Sequence, residues 1–273
     1  MNSSVILWTI ICSAACSVLA AGVFKLAGLE SSAWSGGIGA GLVTYALANF
    51  SWKKVFVSYS NLDRLAELEG LVDSERGICE LIHLDMESDQ NIEEAASKVL
   101  NISGYLDVLI NAGGFLHDSH TVPEKKLEDI SRSNLLKSFN INAVGPLLMA
   151  RHFNRLFDRN RKSIIVNISA KVGSISDNHL GGWYSYRAAK AALNMSTVNT
   201  SIELRRKLPK HICIALHPGT TDTRLSKPFQ RRVPSKQLST PEQTAERLWE
   251  VIAKLDYNDT GKFFSWDGSE ITW

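Results

Sequence analysis

From residue 54 onward, β-branched and aromatic runs alternate with stretches of helical spacing, which confines the chain to a parallel sheet covered by helices on both faces. A strand buried on both sides reads as a continuous apolar run instead of an every-second-residue pattern. On that basis strands are expected over residues 54–59, 78–84, 106–110, 163–168, 211–216 and 262–264. Helices are expected over 62–71, 92–100, 134–157, 183–208 and 242–255. Pro209 stops the fourth of these, and Thr240-Pro241 gives the last an N-cap and first-turn pair. No repeat, low-complexity tract or second domain interrupts the series. The expected fold class is α/β, a doubly wound parallel sheet in three αβα layers.

With 273 residues, 44% of them hydrophobic, the chain can bury one core of this kind. Thirty basic against 28 acidic residues leave a net charge of +2, so no long-range field selects nucleic acid as a partner. The short basic clusters at 205–207 and 231–232 read as a solvated helix end and a loop. Cys12, Cys16, Cys79 and Cys213 are too scattered for a disulfide framework, which points to a reducing compartment, cytoplasmic or organellar.

The first 24 residues carry no charge, and residues 5–24 are almost wholly apolar or small. That matches the roughly 20 residues that cross a bilayer. The chain is accordingly divided into an apolar leader, 1–27, and a folded domain, 28–273. The leader has three readings: a membrane anchor through residues 4–24, a cleaved targeting segment, or a buried leader. Val18-Leu19-Ala20 resembles a small-residue cleavage site but lacks a basic region before it. For an anchor, Lys25 and later basic residues would keep the bulk of the chain cytoplasmic.

Two local patterns carry chemistry. Residues 32–39, with Ser35, Gly37, Ile38 and Gly39, precede a helical stretch at 40–49. A glycine turn opening a helix lets backbone N–H groups approach a pyrophosphate, although a flexible loop would have the same composition. Tyr186 and Lys190, four residues apart on a predicted helix, would share one face. A nearby ammonium stabilises phenolate and should bring the tyrosine pKa down toward neutrality, as proton-transfer catalysis requires. His117 and His120 have no third ligand at a recognisable spacing, so no metal is expected.

In this order the parts resemble the short-chain dehydrogenase/reductase family, and within it the C-factor and sniffer-type carbonyl reductase branch, over residues 32–273. The resemblance rests on Gly37-Ile38-Gly39, Leu84-Asp85, Asn111-Ala112-Gly113-Gly114 and Asn142 in Asn-Ile-Asn-Ala-Val-Gly. It continues through Tyr186 and Lys190, Pro218-Gly219 with Thr221 and Thr223, and the ending Gly-Lys-Phe-Phe-Ser-Trp-Asp-Gly. It implies a Rossmann-type fold and an NAD(P)-dependent oxidoreductase moving hydride between NADP(H) and a small carbonyl or alcohol substrate. Tyr186 would be the general acid/base, Lys190 would tune it and bind the nicotinamide ribose, and Asn142 would hold a relay water. Asp85 and Met86 would lie beside adenine, residues Asn111 to Gly113 would let the cofactor approach the sheet edge, and Pro218 to Thr223 would hold the carboxamide. A homodimer or homotetramer is implied by the same analogy. Loops near 115–122, 174–183 and 225–239 would line an apolar substrate pocket.

The pattern breaks in two places. The family serine at the end of the fifth strand aligns with Ala170, leaving Ser169 before it and Ser174 after it as substitutes. Strand alternation points Ser169 to the opposite face unless the strand has already ended. The first family glycine aligns with Ala33, and residues 24–31 have little strand character. Either a poor first strand is used, the apolar leader supplies it, or this N-terminus is not the functional one. Tyr59-Ser60-Asn61 has no carboxylate, and Ser58, Ser60 and Arg64 suit a 2′-phosphate, so NADP is expected, with NAD as the alternative. The competing functional reading is a nucleotide-binding or signalling protein on the same scaffold, with weak catalysis or none.

Overall fold

Seven strands form one sheet in the order β3-β2-β1-β4-β5-β6-β9, every neighbouring pair parallel. They are β1 (Val5–Ile10), β2 (Trp52–Tyr59), β3 (Cys79–His83), β4 (Val108–Asn111), β5 (Ser163–Ile168), β6 (His211–His217) and β9 (Phe263–Ser265). A separate short parallel pair joins β7 (Thr220–Thr221) to β8 (Leu238–Ser239). The structure, a computed structural model, describes residues 5–10, 38–50, 52–60, 78–234 and 237–273. The helix expected over 62–71 and the glycine turn at 32–37 lie outside the described residues.

The helices are α1 (Ile38–Asn49), α2 (Asp89–Ser103), α3 (Arg132–Phe139), α4 (Gly145–Phe153), α5 (Tyr184–Lys207) and α6 (Pro241–Lys254). On one face of the sheet, Val55, Ile110, Val166 and Ile214 pack under α1 and α6. On the other, Phe56, Leu109, Ile165 and Cys213 pack under α2, α4 and α5. Every residue of β4 and of β5 is buried, as expected for central strands covered on both sides. The Rossmann-type three-layer architecture follows from this two-sided burial.

Two expectations are corrected. The first strand is drawn from inside the 1–27 segment: Val5–Ile10 pairs with β2 and with β4 at the centre of the sheet. Its run Val-Ile-Leu-Trp-Thr-Ile is β-branched and aromatic, which suits a central strand as well as a bilayer. This is the alternative in which the apolar leader supplies the first strand, and a single membrane helix over 4–24 and this strand exclude one another. Among the described residues, no helix is long and apolar enough to cross a membrane. The second correction concerns the helix expected over 134–157, which is broken by a π turn at Asn140–Val144 between α3 and α4. Pro146, in the first turn of α4, has no N–H for the α-helical ladder, so a widened turn is accommodated there. The N-cap reading at Thr240-Pro241 holds: Thr240 Oγ1 accepts from Gln243 N at 3.3 Å, and Gln243 Oε1 accepts from Thr240 N at 3.1 Å.

Candidate active site

The strand order reverses between β1 and β4, so the carboxyl ends of β4, β5 and β6 open onto a crevice. A cavity of about 310 Å³ lies there, bordered by Ile38 of α1, Ala112–Gly114 after β4, Ser169–Val172 after β5 and His217–Thr221 after β6. Tyr186 and Lys190 of α5 line the same cavity. Its outer wall is apolar, with Leu116, Trp183, Leu225, Phe229 and Val233. Of the three loops expected to line a substrate pocket, 115–122 and 225–239 contribute, and 174–183 contributes through Trp183 alone.

Tyr186 and Lys190 are both buried, with the ammonium 5.7 Å from the phenol ring centroid. Lys190 Nζ donates to Ile168 O at 2.9 Å, which ties it to the end of β5. A Cβ on Gly173 would come within 2.8 Å of Lys190 Cβ, so the turn after β5 can approach α5 this closely only with glycine there. The expected tuning of the phenol by the ammonium is not found in this geometry. Burial raises the Tyr186 pKa and lowers that of Lys190 to about 7. Both charged forms lose hydration, and at this separation desolvation outweighs their mutual attraction.

Asn142 is fully buried in the π turn. Its Nδ2 donates to Phe115 O at 2.7 Å and to Ser138 Oγ at 3.2 Å, and its Oδ1 accepts from Phe115 N at 3.0 Å. It thereby clamps the chain just after Gly113-Gly114. A Cβ on Gly114 would lie 3.5 Å from Asn142 Oδ1 and 3.9 Å from Lys190 Nζ, so these two groups flank the same glycine. The π turn brings the asparagine inward, which uniform helical spacing does not anticipate.

Ser169 does not replace the missing hydroxyl. Its Oγ donates to Asn194 Oδ1 at 2.7 Å, toward α5, because the alternation of β5 carries through residue 169. Ser174 also turns away, donating to Thr272 O at 2.6 Å. Ala170 borders the cavity and has no hydroxyl to offer.

The remaining candidates divide by position. Asn111 Nδ2 donates to Asn167 Oδ1 at 2.6 Å across the β4–β5 register, while its own buried Oδ1 has no partner among the described residues. Pro218, Gly219, Thr221 and Thr223 all border the cavity. Gly219 has φ +75°, and a Cβ there would come within 2.8 Å of Trp266. Thr221 Oγ1 pairs with Thr244 Oγ1 at 2.9 Å. Asp85 and Met86 lie beyond β3, away from the cavity: Asp85 Oδ1 accepts from Glu87 N at 2.9 Å, and Met86 is buried against Gly145. Ser60 is half-buried just past β2, Gly39 is buried in α1, and Ser35 and Gly37 lie outside the described residues.

Sequence reasoning missed His217, which adjoins Pro218-Gly219 and borders the cavity. Its Nδ1 is buried without a partner among the described residues, and burial, followed by the charge of Lys171, lowers its pKa to about 4. The only signal was its place at the end of a predicted strand. His117, weighed above for metal, instead has Nε2 3.1 Å from Leu225 O and its ring against Phe229.

Comparison with known proteins places the family and the fold. Residues 33–233 match the family model for short chain dehydrogenases. An uncharacterised oxidoreductase of Schizosaccharomyces pombe is 30% identical over 86% of this chain and 93% of its own length. The C-signal protein of Myxococcus xanthus is 30% identical over 63% of this chain and 95% of its own. Among solved structures, the carbonyl reductase Sniffer of D. melanogaster aligns over 100% of both chains with a TM-score of 0.79 at 22% identity. The NADPH-bound carbonyl reductase from chicken fatty liver does so with a TM-score of 0.78 at 24% identity.

Proposed function

Since the chain belongs to the short-chain dehydrogenase/reductase family and is an oxidoreductase of that family, we propose that it interconverts a small carbonyl compound and its alcohol with NADP(H). The observation that carries this reading is the convergence of Tyr186, Lys190 and the glycines at 113–114 on one crevice at the strand ends.

The residues present fit a nicotinamide cofactor. Gly114 leaves bare backbone beside Lys190 Nζ, and Gly113 and the turn at Pro218–Gly219 border the same space. Ala112, Gly113, Pro218, Gly219, Thr221 and Thr223 would hold the nicotinamide end, with Ile38 and the adjoining turn toward the phosphates. When bound, the cofactor supplies or accepts the hydride. Tyr186 then delivers its proton to the carbonyl oxygen in reduction, or takes it back in oxidation. Burial keeps Tyr186 protonated at neutral pH, so the proton is in place, while the raised pKa makes the phenol a weaker acid than one tuned toward neutrality. Lys190, its pKa lowered to about 7, would be the group that restores that proton. Asn142 fixes the loop at Phe115 and so the width of the crevice. The choice of NADP rests on Ser60 and on the absence of a carboxylate in Tyr59-Ser60-Asn61.

The test is NADPH oxidation with a panel of aldehydes and ketones, by the wild-type protein and by Tyr186→Phe. The variant is expected to lose at least about 10²-fold in kcat, the range of a lost general acid. Equal rates would remove Tyr186 from the chemistry.

A second reading is favoured by one observation: Ala170 offers no hydroxyl and Ser169 is engaged by Asn194. It is a nucleotide-binding or signalling protein with little turnover, and tight NADPH binding without reduction of any panel member would select it. For assembly, exposed Leu147 on α4 and exposed Met195 and Ile202 on α5 support a homodimer or homotetramer, to be read by sedimentation.

A further inference from the structure

The helix that carries Tyr186 and Lys190 begins without a cap of its own. Trp183 occupies its N-cap position with φ 49° and ψ 43°, and no side-chain hydrogen bond caps the helix from there. It is the single non-glycine residue with positive φ among the described residues, and it follows Gly181 and Gly182 at φ 62° and 64°. A bulky side chain in this region is strained and persists only where the surroundings over-determine it.

Arg187 Nε holds the two glycines from within the helix, donating to Gly181 O and Gly182 O at 3.1 Å, and the polar contacts at the helix start come from one distant residue. Glu124 O accepts from Trp183 N at 2.5 Å. Glu124 Oε2 accepts from Ser185 N at 3.2 Å, and its Oε1 accepts from Ser185 Oγ. The side chain is 3% exposed, and no cation forms an ion pair with it among the described residues. A carboxylate buried in this way is compensated by the N–H groups and the positive end of the helix that it caps. From Ser185 the contacts continue inward: Ser138 Oγ donates to Ser185 O at 3.1 Å and accepts from Asn142 Nδ2 at 3.2 Å. The Trp183 ring meets Tyr186 edge-on, with centroids 6.3 Å apart, and Phe229 at 4.9 Å.

We propose that Glu124 is a positioning residue for the reaction: by capping α5 from outside, it fixes the left-handed entry at Trp183 and with it the aim of the Tyr186 hydroxyl into the cavity. This rests on the carbonyl-reductase reading above, because aim matters only if Tyr186 reacts. Glu124 does not border the cavity, and it acts through Ser185.

The experiment compares the wild-type protein with Glu124→Ala and Glu124→Gln in kcat, KM, NADPH affinity from cofactor fluorescence, and amide exchange at residues 183–186. Glutamine can accept from Ser185 N through its amide oxygen and donate to Ser185 Oγ, so it keeps both links. Glu124→Ala is expected to lose about 10- to 100-fold in kcat, the scale of a misplaced reacting group. Its NADPH affinity should hold, and exchange at Ser185 and Tyr186 should accelerate. Glu124→Gln should recover most of kcat and of the protection. Wild-type kcat and exchange in Glu124→Ala would overturn the proposal. So would a parallel fall of kcat, NADPH affinity and melting temperature in both variants, which marks a merely structural role. If the wild-type protein reduces no carbonyl, the functional reading fails instead. Exchange then decides the capping on its own: unchanged protection in Glu124→Ala overturns it, and lost protection that glutamine restores upholds it.

Discussion

The carboxyl ends of β3 and of β4–β6 lie along one edge of the same sheet, yet they satisfy their polar groups in opposite ways. After β3 the bonds of Asp85 and Ser88 are local: Asp85 Oδ1 takes Glu87 N, Asp85 N gives to Asn91 Oδ1 at 2.6 Å, and Ser88 Oγ caps α2 by accepting from Asn91 N. After β4 and β5 they span the chain: Asn111 to Asn167, Asn142 to Phe115, Lys190 to Ile168 and Ser169 to Asn194. A locally closed end can change one residue at little cost to the rest. Residues that share partners across many elements respond together, so their substitutions are non-additive. Tyr186 and Lys190 belong to the second kind of region, where position is set by the whole fold.

The largest contrast should come from Lys190→Met, which keeps an apolar stem and removes the ammonium. Turnover is expected to fall by about 10²-fold or more. Stability should move in the opposite direction, and the sign follows from proton counting. The folded-state pKa of Lys190 is lowered from 10.5 to about 7, so between those values the unfolded chain binds more protons and stability rises with pH. Above about pH 10 the raised pKa of Tyr186 reverses the slope, because the native state then holds the extra proton. Urea denaturation at pH 7 and pH 9 should show the rise in the wild-type protein and its loss in Lys190→Met. A flat wild-type profile would contradict the buried ammonium.

Asn111→Ala should cost about 1–3 kcal/mol, because it leaves the buried Asn167 amide oxygen without its partner. Chemical denaturation measures this directly, and a neutral result would break the contrast between the two strand ends. Ala170→Ser sharpens it from the other side, restoring a hydroxyl at the cavity wall. An increase in kcat of about tenfold is expected, below the 10²–10³ range of a lost oxyanion donor. No gain would mean that another group already serves the carbonyl oxygen. Asp85→Ala is the smallest change, within about 1 kcal/mol of wild type. A larger loss in the same denaturation assay would show that the β3 end is not locally closed.

The strands β2 to β6 and the pair Tyr186/Lys190 were legible because their signals are one-dimensional: continuous apolar runs and an i, i+4 spacing. The strand β1 was not. Val5–Ile10 is the start of an apolar stretch long enough for a bilayer, and burial on both faces of a central strand selects the same residues as burial in lipid. The inward turn of Asn142 depends on a π turn, which leaves no periodic trace. The direction of the Tyr186 shift was misjudged because proximity can be read from spacing, whereas desolvation depends on everything packed around the pair. Glu124 was invisible for a related reason: an acid in Pro-Glu-Lys-Lys looks solvated until the fold brings it to Ser185.

The most direct test is a structure of the protein crystallised with NADPH. The nicotinamide ring is expected between Gly113–Gly114 and Pro218–Gly219, with the Tyr186 hydroxyl beside its reactive face and Lys190 Nζ at the ribose. A dinucleotide bound elsewhere, or a Tyr186 hydroxyl turned away from the nicotinamide, would contradict this.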